Sequence, residues 1–145
     1  MDIRILDNTD AKVSIQIHQV MQESYRQEAA LLGLEYFPPL ERSAKDIAND
    51  RGVFYGASTK NILAGILHFN EGNIDALVVE PSSQGLGVAS ALLNHLIGKL
   101  QSGVIRVSTA QSNTRAVSLY QKFGFKQEST IQKEEITLVN YTKEI

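Results

Sequence analysis

The stretch VVEPSSQGLGVA, residues 78–89, decides how the rest of the chain is interpreted. The apolar and β-branched residues 74–79 are typical of a buried strand, and Pro81 ends that strand because proline cannot donate a hydrogen bond to a neighbouring strand. After the glycine-rich turn, apolar residues recur at helical spacing, at Ala89, Leu92, Leu93, Leu96, Ile97 and Leu100. The segment is therefore predicted to be a strand, a tight turn and a helix.

The turn itself is a candidate anion site. The first N–H groups of a helix have no partner within the helix, and the helix dipole adds positive potential at that end. Gly85 and Gly87 would let a phosphate approach the backbone closely. A tight connection without a ligand is the alternative. Two known phosphate motifs do not fit, since Val88-Ala89 replaces the Lys-Ser/Thr of a P-loop and Ser90 replaces the third glycine of the dinucleotide fingerprint.

Two sequence blocks together resemble the GNAT family of N-acetyltransferases. Residues 84–89, QGLGVA, match the family signature Q/R-x-x-G-x-G/A. Residues 113–125, NTRAVSLYQKFGF, are similar to its N-x-x-A-x-x-L-Y-x-K-x-G-F segment. The blocks occur in the family's order and spacing, and the resemblance covers about residues 62–128. It implies a GNAT acyl-CoA N-acyltransferase fold with acetyl-CoA as the cosubstrate.

The composition is that of an ordinary globular protein. A length of 145 residues predicts one domain, residues 1–145, and 43% apolar and 21% charged residues are usual for such a chain. The net charge of −2 gives no electrostatic reason to expect nucleic acid or membrane as a partner. The absence of cysteine excludes disulfides, a thiolate metal site and a cysteine nucleophile, and no metal is expected. Without a signal sequence or an apolar run of about 18 residues, a cytoplasmic location is expected.

The remaining patterns predict an α/β (α+β) fold with a mixed central sheet of six to seven strands and about four helices. The predicted elements are, in order, a strand at 3–6, a helix ending near 30, a short helix at 43–49, strands at 53–57, 62–69 and 74–79, a helix after the turn, a strand at 104–108, a helix after 113, and strands at 125–132 and 136–141. Short turns between the three middle strands predict an antiparallel meander. The long helix predicts a parallel crossover to Val104–Ser108.

The resemblance implies how the cofactor would bind. In the family the central strand and the strand at 104–108 splay apart, so the amides of the pantetheine arm could hydrogen-bond to the strand edge at Leu77, Val78 and Val79. The pyrophosphate would lie on the backbone N–H groups of the turn, which is formed by Gln84, Gly85, Leu86, Gly87, Val88 and Ala89. Asn113 is implied to contact the cofactor arm, and its position also suits a helix N-cap.

Transfer of an acetyl group from a thioester to an amine benefits from an acid that protonates the departing thiolate. Tyr120 occupies the position that the family uses for this acid. Its alternative role is that of a core aromatic on the helix face. The thioester is already activated, so no covalent enzyme intermediate is required.

The transfer also needs a group that attracts the positively charged amine and accepts a proton from it. Asp75 is the first choice, because an acid is unusual within an apolar strand and burial would make it a better base. Strand alternation should place it on one face with Leu77 and Val79. Glu71, His68 and a water-mediated path remain alternatives.

The acceptor is expected to be a primary amine of a small molecule or a peptide. Tyr36 and Phe37 lie in an aromatic, proline-rich loop and are predicted to line the acceptor pocket, since in this fold the segment between the first helices shapes that site. Covering the core is their alternative role. The competing hypothesis is an acyl-CoA-binding sensor without turnover, and the resemblance also allows a homodimer.

Overall fold

The computed structural model describes residues 1–145 and contains a mixed seven-stranded sheet with four α-helices, which confirms the predicted fold class. In chain order the elements are β1 (Asp2–Leu6), α1 (Ala11–Leu32), a 3₁₀ turn (Pro38–Glu41), α2 (Ala44–Ala48), β2 (Val53–Thr59), β3 (Ile62–Asn70), β4 (Asn73–Val79), a 3₁₀ turn (Pro81–Ser83), α3 (Val88–Lys99), β5 (Val104–Ala110), α4 (Thr114–Lys122), β6 (Lys126–Lys133) and β7 (Ile136–Glu144). None of the helices combines the length and apolar character that a bilayer span requires.

The strand order in the sheet is β1-β2-β3-β4-β5-β7-β6, and every neighbouring pair except β4 and β5 is antiparallel. This order confirms the meander of β2, β3 and β4 and the parallel crossover through α3. The turn between β2 and β3 is tighter than predicted, because Lys60 and Asn61 both adopt positive φ (51° and 65°), as in a type I′ hairpin turn. Strand β2 consequently continues to Thr59 instead of ending at Ala57.

Two layers of apolar side chains cover the two faces of the sheet. On the first, which we call the α1 face, the buried core consists of Ile17, Val20, Met21, Ile47, Phe54, Ile66, Ala76 and Val78. On the opposite α3 face, the core includes Ala57, Ala64, Leu67, Ile74, Leu92, Leu93, Leu96, Ile105, Val107, Tyr120 and Val139. The helical spacing of apolar residues in α1 and α3 therefore reflects burial against opposite faces of one sheet.

Side-chain caps fix the starts of the short helices α2 and α4, and the cap of α4 is the one predicted at Asn113. Ser43 and Asp46 form a reciprocal capping box at the start of α2. Asn113 caps α4, since its side-chain oxygen accepts a hydrogen bond from the Ala116 N–H at 3.2 Å. These caps orient the segments that lead into the cleft described below.

Candidate active site

Strands β4 and β5 part after two residue pairs. The parallel register joins only Asn73 to Arg106 and Ile74 to Val107, although both strands continue for several more residues. Beyond Ile74, the edge of β4 that faces β5 has no strand partner, while its other edge stays paired with β3 as far as Val79. Free backbone groups on a strand edge can take up an extended amide chain as an added strand.

A cavity of about 220 Å³ lies between the parted strands and is called the cleft below. Its walls come from β4, β5, α1, α4 and the loop after α1, and they include Tyr25, Glu28, Phe37, Asp75, Leu77, Val78, Asn113 and Tyr120. The fold thus brings together residues that the sequence analysis selected from distant segments. Tyr36 lies outside the cleft, because its side chain is 61% exposed and its hydroxyl donates to Glu41 at 3.3 Å.

At the end of β4 the backbone presents a row of free N–H groups. Gln84 donates the last backbone hydrogen bond before the turn, and Ala91 donates the first one after it. The N–H groups of residues 85–90 between them have no backbone acceptor. Gly85 and Gly87 have φ values of 79° and 81°, and a Cβ on either would meet no atom within 4 Å. The turn therefore faces open space with unpaired donors.

The side chains of the turn differ in what they can contribute. Val88 is 2% exposed and packs into the α3 face, so only its backbone can reach a ligand. Gln84 bridges two helices, because its Nε2 donates to Gln27 on α1 and its Oε1 accepts from Arg115 on α4 at 2.7 Å. Arg115 places a cation beside the turn, and the sequence analysis did not single it out because it occupies a variable position of the second motif.

Tyr120 lines the cleft from α4 although it is only 4% exposed. Its ring packs edge-on against Phe125, with centroids 5.4 Å apart. Burial, and then the charges of Glu28 and Tyr25, raise the pKa of the Tyr120 phenol above its ordinary value. The hydroxyl therefore keeps its proton throughout the neutral range, which is the state that a proton donor needs. Tyr120 is therefore both a buried aromatic residue and part of the cleft wall, and its role as an acid stays a prediction.

Strand β4 contains a bulge at Asp75. On β3 the adjacent residues His68 and Phe69 pair with Ala76 and Ile74, so the register skips Asp75. A bulge leaves the extra residue outside the ladder and shifts the faces that the following side chains occupy. Accordingly, Ile74 joins the core of the α3 face, whereas Ala76 joins the core of the α1 face.

The bulge shows that the expected alternation was wrong for Asp75. Leu77 and Val79 pack against the α3 face, whereas the Asp75 carboxylate comes within 4.0 Å of Nδ1 of His68, which stacks on Phe54 in the α1 face. The side chain of Asp75 is also 43% exposed, so it is not buried as the sequence argument expected. Its position in the wall of the cleft is what keeps it a candidate.

A second, more polar cavity of about 370 Å³ adjoins the cleft. It is lined by Asn73, Ile74, Asp75, Arg106, Val107, Ser108, Glu128, Asn140, Tyr141 and Thr142. Asp75 and Ser108 line both cavities and so mark the boundary between them. Glu128 reaches this cavity from a second bulge, because the β6–β7 register skips it. The polar cavity therefore combines two carboxylates with the Arg106 cation beside the point where β4 and β5 part.

Comparison with known proteins decides the family. The family described as "Acetyltransferase (GNAT) domain" matches residues 20–145, which include the parted strands, the turn and Tyr120. The chain belongs to the GNAT acetyltransferase family.

Three individual proteins are similar to this GNAT domain. The UPF0157 protein YqkA of Bacillus subtilis (strain 168) is 30% identical over 135 residues, which are 90% of this chain but 39% of the length of YqkA. The ribosomal-protein-S18-alanine N-acetyltransferase from Escherichia coli has a TM-score of 0.77 at 19% identity, over 99% of this chain and 93% of that one. An aminoglycoside 6'-N-acetyltransferase complexed with coenzyme A has a TM-score of 0.71 at 15% identity, over 99% and 97%. The two structural likenesses show the GNAT fold alone.

The GNAT fold also brings Glu28 into the cleft, a residue that the sequence analysis missed. Asn113 Nδ2 donates to Glu28 Oε1 at 3.2 Å, so Asn113 caps α4 and contacts α1 at the same time. Burial raises the pKa of Glu28, and the hydrogen bond from Asn113 opposes that rise. No sequence signal could have found this residue, because an isolated glutamate on a long amphipathic helix is usually solvated.

Glu28→Gln is expected to stabilise the unliganded protein at neutral pH. A carboxyl whose pKa is raised by folding binds protons more tightly when folded, so its contribution favours the folded state at low pH and is lost as the pH rises through the folded pKa. Glutamine removes the buried charge and keeps an oxygen for Asn113. Thermal unfolding should show a midpoint a few degrees above wild type at about pH 7.5. The difference should vanish at about pH 3, which is well below the pKa of glutamate in the unfolded state, so that the carboxyl is protonated in both states.

Equal midpoints at both pH values would show that Glu28 carries no burial cost. Glu23→Gln, on the same helix but outside the cleft, is the matched control and should leave the midpoint unchanged.

Proposed function

We propose that this chain is an N-acetyltransferase that moves the acetyl group of acetyl-CoA directly to a primary amine of a small molecule or a peptide. Acetyl-CoA is the cosubstrate of the GNAT family to which the chain belongs. One observation carries the proposal: β4 parts from β5 directly before the free N–H groups of residues 85–90. A single extended ligand with amides at one end and phosphates at the other fits this arrangement.

The cofactor would be held mainly by backbone atoms. The exposed edge of β4 at Leu77, Val78 and Val79 offers groups that can pair with the amides of the pantetheine arm. The turn from Gln84 to Ala89 offers unpaired N–H groups and the positive end of the α3 dipole to the pyrophosphate. Asn113 would meet the arm from α4, exchanging its hydrogen bond with Glu28 for one with the ligand.

The cleft residues divide the proton transfers between them. Asp75 would attract an ammonium group and take one proton from it, directly or through water. The free amine would attack the thioester carbonyl, and a backbone N–H on the unpaired edge of β4 would stabilise the developing oxyanion. Tyr120 would give its proton to the thiolate as the carbon–sulfur bond breaks and would regain one from the nitrogen that has attacked. These steps need no covalent intermediate on the protein.

The acceptor would enter from the polar cavity. Its carboxylates, Asp75 and Glu128, suit a cationic group, and Asp75 is the carboxylate that this cavity shares with the cleft. The names of two structural neighbours refer to acceptors as different as a protein alanine and an aminoglycoside. The chemistry of this cavity therefore supports an amine acceptor and leaves its size to be found by screening.

Gly87→Val tests the cofactor site. A valine there would fill the open space before the turn and strain a backbone whose φ is 81°. We expect acetyl-CoA affinity, measured by calorimetry, to fall at least about tenfold in a protein that remains folded. Gly33→Val is the matched control, because Gly33 also has a positive φ (70°) with nothing near its missing Cβ and lies outside both cavities.

Unchanged affinity in a folded Gly87→Val protein would remove this assignment of the site. Release of free CoA with a panel of amines separates an enzyme from a sensor. Acetyl-CoA binding without CoA release in the presence of any amine would support the sensor.

A further inference from the structure

His68 is buried on β3 directly behind Asp75. Its side chain is 1% exposed and stacks in parallel on Phe54, with ring centroids 4.1 Å apart. Its Nε2 lies 2.8 Å from Asp50 Oδ1. Its Nδ1 is the only fully buried side-chain nitrogen or oxygen in the chain that lacks a hydrogen-bond partner. A buried polar atom left unpaired is costly, so this one requires an explanation.

The Asp50 carboxylate fixes which ring nitrogen carries the proton. Burial opposes ionisation of Asp50, but the N–H of Gly52, the His68 ring and the Arg42 guanidinium together hold the pKa of Asp50 below its ordinary value. Because an ionised carboxylate only accepts hydrogen bonds, Nε2 of His68 donates to it. In the neutral ring, Nδ1 then carries a lone pair. A Cβ at Gly52 would lie 2.6 Å from Nε2, so glycine leaves the room that this contact needs.

Asp75, which lines the cleft, lies between the cleft and the Nδ1 lone pair of His68. Its Nδ1 is 4.0 Å from Asp75 Oδ2, which is too long for a hydrogen bond but within the reach of a rotation of this half-exposed carboxylate. The other charged groups nearby are Asp50 and, behind it, Arg42. Tyr25 of α1 also lies near Asp75. Burial, and then the charge of Glu28, raise the pKa of Tyr25; Arg42 opposes this rise and Asp75 adds to it, and the pKa is about 12. Tyr25 therefore stays neutral.

We infer that His68, held by Asp50, is a positioning residue that accepts a proton from Asp75 and so restores the Asp75 carboxylate. The inference rests on the proposed function, because it takes Asp75 as the group that first receives a proton from the acceptor ammonium. It explains why Nδ1 is buried without a partner: its partner is the protonated Asp75, which exists only during the reaction.

The protons balance over one cycle. The acceptor ammonium gives one proton to the Asp75 carboxylate, which rotates and passes it to Nδ1 of His68, leaving an imidazolium between two carboxylates. The amine forms the new carbon–nitrogen bond, the carbon–sulfur bond breaks with its electron pair on sulfur, and the second amine proton reaches the thiolate by way of Tyr120. The imidazolium then returns its proton to water through Asp75, so one proton is released for each acetyl group transferred.

NMR tests the coupling between His68 and Asp75 without any substrate. The chain has three histidines, so His18→Gln and His95→Gln assign the His68 ring signals by elimination. Between about pH 5 and pH 9, the titration of His68 is expected to move to lower pH by about one pH unit in Asp75→Asn, because loss of a nearby opposite charge disfavours the imidazolium. Glu71→Gln is the control and should leave it unchanged. An unchanged midpoint in Asp75→Asn, or a ring that never titrates in this range, overturns the inference.

A double-mutant cycle tests the role in turnover. His68→Gln is expected to lower kcat/KM for the amine about tenfold or more near neutral pH, with the loss shrinking as the pH rises and the KM for acetyl-CoA unchanged. In the Asp75→Asn background the same change should cause no further loss, because His68 acts through Asp75. Losses that multiply would make His68 a structural residue instead.

Asp50→Asn keeps the inference testable if the His68 variant does not fold. Asparagine can keep the Oδ1 contacts with Gly52 and His68, while it removes the charge and the hydrogen bond of Oδ2 with Arg42, so an intermediate loss of kcat/KM with the same pH trend is expected. Wild-type activity in Asp50→Asn at every pH would contradict the inference. If no amine is acetylated at all, the proposed function fails, and the NMR titration still decides whether the two side chains are coupled.

Discussion

Tyr120→Phe is expected to lower kcat for amine acetylation by about 100-fold, within the usual range for loss of an acid–base group. Phenylalanine keeps the ring that packs edge-on against Phe125, so the fold and the affinity for acetyl-CoA should be unchanged. Burial raises the pKa of the Tyr120 phenol, so the hydroxyl is fully protonated at neutral pH. It therefore holds the proton that the leaving thiolate receives as the carbon–sulfur bond breaks, and the second amine proton replaces it.

Single-turnover kinetics make the Tyr120 measurement decisive, since they separate chemistry from product release. Tyr25→Phe is the matched control, because Tyr25 lines the same cleft from α1 and should tolerate loss of its hydroxyl with little change in rate. A single-turnover rate for Tyr120→Phe close to wild type would leave Tyr120 with the core-aromatic role only.

Asp75→Asn is expected to lower kcat/KM for the amine by about 100-fold near neutral pH. The substitution is nearly isosteric and removes the charge that would attract and deprotonate an ammonium. The loss should shrink as the pH rises, because free amine then accumulates without help from the protein. The affinity for acetyl-CoA should stay the same, since the cofactor would be held by the β4 edge and the turn.

Glu71→Gln provides the control for Asp75, because Glu71 lies in the turn just before β4 and lines neither cavity. Its activity should match wild type. If Asp75→Asn were fully active across the pH range while Glu71→Gln lost activity, the base would have to be sought in the β3–β4 turn. Wild-type activity in both variants would favour a bound water as the base.

Local signals in the sequence predicted most of the fold. Pro81 ended a strand, Asn113 capped a helix, and the spacing of apolar residues located α1 and α3 because each helix buries one stripe against the sheet. The two motifs supplied what local signals could not, namely that β4 and β5 part in this family. Such parting leaves no mark on either strand, since both continue as regular strands beyond the last paired residue.

The residues that escaped prediction are those whose position depends on non-local geometry. Asp75 left the expected alternation because the ladder between β3 and β4 skips it, and no property of the five surrounding residues announces a bulge. Glu28 joined the cleft because α1 crosses β4, far from it in the sequence. Tyr36 is aromatic, as many pocket residues are, but the loop directs its side chain to solvent. Its neighbour Phe37 faces the cleft.

The short pairing between β4 and β5 divides the backbone ladder into two antiparallel halves joined by two residue pairs. Under the proposed function, acetyl-CoA would lie in the gap as a surrogate strand and complete the ladder. A ligand that binds only the folded state stabilises it by about 2.7 kcal/mol at a hundred times its Kd. The stability of the contact between the two halves would then depend on the concentration of acetyl-CoA in the cell. When acetyl-CoA is scarce, a larger fraction of the protein would have the two halves separated.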